Sequence, residues 1–419
     1  MRISLLPALV IAACLPARAQ SQAADLPPGR HAVGYRLTYV VDSTRTAVPD
    51  TAASTARSGV GASEAPRVLP LRIWYPAARR ATSPATSRAT LRYGDYLDVR
   101  PDAGSAPPVA DALRERTLGL VQFTARRYAR ALGGAVTAGD TAGVMARLLA
   151  TPRPVVRAAP AAPGRFPVVV FGGGAYHSVD ENVVLWEHLA SRGYVVAAFP
   201  SVGVDGADLP ADDAGLETMT RDVEAVIAHL ARVPYADRTR LAAGGFSFGG
   251  AAGLVAAARN RWVDAVFGLD ASFIGRSHTE RVLRAPLFVP TRVAVPVFEM
   301  HRADTTVDRR VLDAMTRAPR YSVELTGLDH VDFNSYALLW QPLLPARPGA
   351  GYAARDSSVA TKAAAYVAMV ASLADFLDAH LARTGDVAAL PARLADDAPR
   401  WARVPGGRVQ TRVVPAAAR

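Results

Sequence analysis

The sequence predicts an α/β fold, a mostly parallel sheet with helices on both faces, and three observations carry that expectation. From Phe166 onward, apolar runs of strand length alternate with helical patterns, as strand–helix–strand units do. The runs are apolar enough to be covered on both sides, which is the condition of parallel strands. Half of the 419 residues are apolar, so the chain can bury the core of one large domain.

Taken in chain order, Gly34 to Val41 and Val68 to Tyr75 alternate apolar and polar residues and are expected to pair as half-buried antiparallel strands. Asp42 to Ala65 between them is rich in Ser, Thr, Ala and Gly and has nothing periodic to bury, so it reads as a loop. From Tyr93 to Leu149 apolar residues such as Leu113, Leu118, Leu120, Met145 and Leu148 recur in a helical pattern. This predicts a helical insertion over about 93–150, either a lid over a pocket or a layer packed on the sheet. The parallel strands follow: Pro167 to Phe171, Tyr194 to Phe199, Thr239 to Gly244, Val263 to Leu269, Val293 to Met300 and Tyr321 to Leu325. Leu216, Met219, Val223, Val226, Ile227 and Leu230 repeat at helical spacing over Leu216 to Val233, marking the clearest intervening helix. A last helix near Val359 to Ala382 should close the sheet. From Arg383 on, the chain holds four further prolines and no strong pattern, so 384–419 reads as a C-terminal tail to a domain spanning 20–383.

The first residues carry Arg2, an apolar run from Ile3 to Ala13 and the small-x-small sequence Ala17-Arg18-Ala19. That is the pattern of a cleaved secretory signal over 1–19, and it implies an exported, periplasmic or secreted protein. The stretch Ile11-Ala12-Ala13-Cys14 also resembles a lipoprotein cleavage box, the alternative in which a lipid on Cys14 anchors the protein. No later run offers roughly 20 uninterrupted apolar residues for a membrane crossing. Cys14 is the only cysteine, so the mature chain has no disulfide, no thiolate nucleophile and no cysteine-ligated metal. Net charge is +11, but Lys362 is the sole lysine beside 47 arginines and no basic run is interleaved with aromatics. That composition points away from a nucleic-acid partner.

The chemistry centres on Gly245-Phe246-Ser247-Phe248-Gly249, placed directly after a strand and directly before the Ala-rich stretch Ala251 to Ala258. A serine on such a sharp strand-to-helix turn is strained and exposed, with glycines two positions to either side because side chains there would meet neighbouring backbone. The helix that follows aims its N-terminal amides at the serine. In this arrangement the base comes last in the chain, and His330 in Thr326-Gly-Leu-Asp-His-Val-Asp-Phe follows the last strand. His177, His278 and His301 come too early and read as wall residues; His31, His188, His229 and His380 lie at chain ends or on helices. Two aspartates compete to orient the base. Asp304, in the loop after the strand that ends at Met300, occupies the usual position for the acid and is favoured; Asp270, which closes the preceding strand at Gly268-Leu269-Asp270, is the alternative acid. An oxyanion would be met by the backbone amide of Phe248 and by one from Gly172-Gly173-Gly174-Ala175, Ala175 first and Gly174 next. That glycine run lacks the spacing of a phosphate or dinucleotide cradle.

The segments FPVVVFGGGAY, LASRGYVVAAFP, GGFSFGGAAG, VPVFEMHRADT and GLDHVDF, between Phe166 and Phe333, with the early RIWYPA ending at Ala77, resemble the α/β-hydrolases. The resemblance is to the branch holding platelet-activating factor acetylhydrolase, dienelactone hydrolase and the bacterial polyester hydrolases. It implies a serine hydrolase with a Ser-His-Asp triad, an acyl-enzyme intermediate, no cofactor and no metal, acting on a small-molecule or lipid ester. The acetylhydrolases carry their acid at the position matching Asp270, the polyester and dienelactone hydrolases at the position matching Asp304. The sequence departs from the branch in Gly173-Gly174, where His-Gly is usual, and in an added segment from Ser272 to Arg292. Two other functions are open to the same residues: a peptidase or amidase on this scaffold, and an inactive hydrolase fold serving as an exported binding protein.

Overall fold

The computed structural model describes residues 26–46, 66–78, 90–102, 104, 114, 118–119, 138–176, 180–203, 208–303, 307–340, 352–404 and 409–417. The leader, with Cys14, and the middle of the expected helical insertion lie outside the described residues.

An eleven-stranded sheet runs through the molecule in the order β11-β10-β9-β8-β7-β5-β6-β2-β1-β4-β3. Its centre is parallel: β6 (Val195–Phe199), β5 (Phe166–Gly172), β7 (Ala236–Phe246), β8 (Ala265–Leu269), β9 (Val297–Arg302) and β10 (Arg320–Leu325). β1 (Ala32–Thr46) and β2 (Pro66–Ala77) pair antiparallel, with Gly34 opposite Tyr75 and Val41 opposite Val68, as their alternation predicts. The expected strand from Val293 begins only at Val297, because Pro296 has no N–H to give and Pro290–Arg292 turn as a 3-10 helix instead.

Successive side chains of β5 enter different cores. Val169 and Phe171 join one buried cluster, Val168 and Val170 the other, so the strand is covered on both faces. On the first face lie α1 (Ala138–Ala150), α2 (Val183–Arg192), α7 (Tyr336–Trp340) and α8 (Tyr352–Leu377). On the second lie α3 (Asp213–His229), α4 (Phe248–Arg259), α5 (Arg276–Arg284) and α6 (Arg310–Ala314). α1 is the described end of the expected insertion, and its Met145 and Leu148 are buried in the first core. That part packs on the 3-10 turn Tyr93–Leu97 and on α7. The span Thr361–Ala382 is long and apolar enough to cross a membrane by composition, yet 67% of its most apolar window is buried inside the fold.

Three strands have no counterpart in the sequence reading. β4 (Pro152–Arg157) holds two prolines yet pairs with both β1 and the short β3 (Thr90–Arg92). The stretch expected as a tail supplies α9 (Leu390–Leu394) and β11 (Val409–Val414), which pairs antiparallel with β10. Because the central strands are parallel, β5, β7, β8 and β10 all end at one edge of the sheet, where crevices of such folds open.

Candidate active site

β7 delivers Ser247 to that edge. The serine adopts φ 53° and ψ −117°, a left-handed conformation that costs a non-glycine residue roughly 1–3 kcal/mol. Surrounding bonds hold it there: its N–H donates to the Leu269 carbonyl at 3.0 Å, and its carbonyl accepts from Ser272 N–H at 2.9 Å. A Cβ on Gly249 would stand 2.0 Å from the Gly172 carbonyl oxygen, and one on Gly245, at φ 155°, would stand equally close. The loop after β5 therefore lies directly against the first turn of α4. This juxtaposition sets Gly172 and Gly173, the start of the run that also holds the expected oxyanion donors Gly174 and Ala175, against the helix that opens with Phe248 directly after Ser247.

His330 reaches the serine from the loop after β10. Its Nε2 is 2.9 Å from Ser247 Oγ, and its ring lies 4.5 Å from that of Phe246 at 31°. Its other nitrogen, Nδ1, is 2.5 Å from Asp270 Oδ2. Asp270 ends β8 with φ 43°, its N–H bonded to the Met300 carbonyl at 2.6 Å. Its second carboxylate oxygen accepts the Arg302 N–H at 3.1 Å. The orienting position beside His330, for which Asp304 is favoured from its place after the strand ending at Met300, is thus filled by Asp270; Asp304 itself lies outside the described residues. β8 is the immediate neighbour of β7 in the sheet, so its end lies beside the serine.

The 3-10 turn His330–Phe333 is clamped from below. Asp332 accepts the Asp329 N–H at 2.8 Å and pairs with Lys362 Nζ of α8 at 2.8 Å. Ser335 bonds back to the Glu181 carbonyl, and Asn182 Nδ2 donates to Asn334 Oδ1 at 2.5 Å. These contacts tie the loop that bears His330 to the end of the loop that follows β5. Sequence reading assigned none of them a role, because buried polar partners far apart in the chain leave no local pattern.

The remaining histidines go elsewhere. His301 is buried on β9 between Glu299 at 3.0 Å and Glu324 at 3.3 Å; burial opposes its charge, but the Glu299 carboxylate prevails and raises its pKa. His278 sits on α5, and its pKa is lowered by burial, by Arg281 and by His330. His177 lies outside the described residues. Among the described residues, no three His, Cys, Asp or Glu side chains stand together as a metal site would require.

A hydroxyl, an imidazole and a carboxylate in this hydrogen-bonded order can activate the hydroxyl as a nucleophile. No protein-family model matches the chain, and no curated protein does. Among solved structures, the chain is similar to a ferulic acid esterase from Streptomyces cinnamoneus, with a TM-score of 0.55 and 18% sequence identity, over 92% of this chain and 97% of that one. That likeness is one of fold, and the fold is that of the α/β-hydrolases.

Proposed function

We propose that this chain is an exported serine hydrolase that cleaves carboxylic esters of short acyl chains, with Ser247 as nucleophile, His330 as general base and Asp270 as the acid. The observation that carries it is the unbroken hydrogen-bonded line from Asp270 through His330 to Ser247. The esterase likeness of the whole fold supports the substrate class, and the signal-like leader supports the export. An acid at Asp270 also favours the acetylhydrolase side of the resemblance over the polyester and dienelactone hydrolases.

In the reaction, His330 Nε2 takes the Ser247 proton as Oγ attacks the ester carbonyl. Asp270 keeps the proton of His330 on Nδ1 and stabilises the imidazolium that forms. The carbonyl oxygen becomes an oxyanion, met by the backbone amides of Phe248 and Ala175, with Gly174 next. The imidazolium then protonates the departing alkoxide, leaving an acyl group on Ser247. Water, deprotonated by His330, repeats the sequence and releases the acid.

A fluorophosphonate probe tests this. It should label the wild-type protein and not Ser247→Ala, and nitrophenyl esters of increasing acyl length should be turned over by the wild type alone, fastest at the short end. Equal labelling of both proteins, or none of either with no turnover, would overturn the proposal.

A further inference from the structure

The added segment after Asp270 carries a cluster of open hydrogen-bond donors against Phe248, the residue that follows Ser247. Ser272, whose N–H is bonded to the Ser247 carbonyl, leads into α5, whose start is fixed by the bridge between Gly275 and Val307 and by Asp308 N–H on the Ile274 carbonyl at 2.7 Å. Within the helix, Arg281 Nη1 donates to His278 Nδ1 at 2.6 Å, the i,i+3 pair of one helix face. The Arg281 guanidinium lies 6.0 Å from the centre of the Phe248 ring, the residue that follows Ser247.

The donors of this pair outnumber their acceptors. Arg281 has 18% of its side chain exposed, and its one carboxylate neighbour among the described residues is Asp213, 3.3 Å from Nε. That contact is an ion pair without a hydrogen bond, so the buried Nε has no acceptor. Asp213 is 58% exposed and shares its charge with Arg284 at 3.2 Å. Arg281 Nη2 likewise has no acceptor among the described residues. Because Arg281 donates to Nδ1, the proton of a neutral His278 sits on Nε2, a further donor without a partner there. His278 stays neutral near pH 7, since burial, Arg281 and His330 all lower its pKa. Of these donors Arg281 Nε is buried without an acceptor, and a buried donor left open carries a cost that a ligand oxygen would recover. A fork of N–H groups with a fixed positive charge matches a carboxylate.

We infer that the Arg281–His278 pair on α5 is a specificity site that takes a free carboxylate of the ester substrate, a few bonds from the scissile carbonyl. The inference rests on the esterase reading above and narrows its substrate class to esters that carry a second, anionic group. Two substrate pairs test it: 4-nitrophenyl hemiglutarate against 4-nitrophenyl valerate places the charge on the acyl side, and 4-acetoxybenzoate against its methyl ester places it on the alcohol side. In the wild type, one pair should show the anionic member preferred in kcat/KM, by a ratio that falls as salt rises. Arg281→Met should lower that ratio about tenfold to a hundredfold, and Arg281→Lys by less. Retained fluorophosphonate labelling of the variants identifies those with an intact nucleophile. Turnover of neutral esters with no anionic preference in either pair, or a preference that survives Arg281→Met, would overturn this site while leaving the esterase reading in place. Absence of labelling and of turnover in the wild type would remove both.

Discussion

Asp270 gives one carboxylate oxygen to His330 and the other to a backbone amide, so it can both orient the imidazole and stay put while charge develops on it. Replacing it by Asn keeps the shape but lets the side chain present an N–H to His330 Nδ1, which would invert the tautomer the reaction needs. Asp270→Asn should lower kcat by about 10⁴, whereas Asp304→Asn should leave kcat within a few-fold; steady-state kinetics on a nitrophenyl ester separates the two. A large loss in the Asp304 variant with little in the Asp270 variant would reverse the assignment. The meeting of Ser247 and His330 was legible in the sequence because each is announced locally, Ser247 by its flanking glycines and His330 by its place after the last parallel strand. The carboxylate beside His330 was not, because aspartates follow two successive strands and the usual position of the acid favours Asp304, whereas Asp270 makes the contact. What decides between them is which strand neighbours β7 and a left-handed turn at residue 270, neither of which has a one-dimensional signature.

At the scale of elements, the turn that holds His330 depends on a helix outside the catalytic line. Asp332 has 1% of its side chain exposed and is paired with Lys362, itself mostly buried. Removing the lysine charge leaves a buried carboxylate without its counter-ion, a change that costs about 3 kcal/mol in comparable sites. Lys362→Met should therefore lower the denaturant midpoint and reduce kcat more than it raises KM, because the base is displaced while the substrate corner is not. Lys362→Arg should restore much of both; if it restores stability but not kcat, the pair braces the fold and does not position His330. Sequence patterning found the helix of Lys362 from its apolar residues, yet the meaning of a single lysine among arginines was invisible until it met Asp332. The β4 strand was hidden for a related reason, since its prolines argue against a strand and only pairing with β1 and β3 overrides them.

Across the whole molecule, buried histidines set the response to acid. His188 on α2 is buried, and that burial, helped by Arg192, lowers its pKa to about 4, while an unfolded chain would hold it near the usual value of about 6.5. The unfolded state thus binds the proton more readily, so this contribution to stability is complete above about pH 6.5 and is lost as pH falls toward 4. His229, His278 and His380 are shifted in the same direction by burial; His301, shifted upward, works the opposite way but singly. The unfolding free energy from urea titrations should fall between pH 7.5 and 5, by up to about 1.4 kcal/mol per pH unit from His188. His188→Gln should flatten that slope, and an unchanged slope would show that other groups govern it. The parallel centre and its two cores could be read ahead of the coordinates because strand and helix periods differ so plainly there; the rim could not, since β11 gains its order from β10 and not from its own residues. That rim matters for handling the protein. With β11 in place, the chain's own end shields the outer backbone of β10, the strand that leads into the His330 loop, from pairing with a neighbouring molecule. A fusion partner joined beyond the strand that ends at Val414 preserves that seal, while a clone trimmed before Val409 would present a bare strand to its copies and invite insoluble, edge-joined chains.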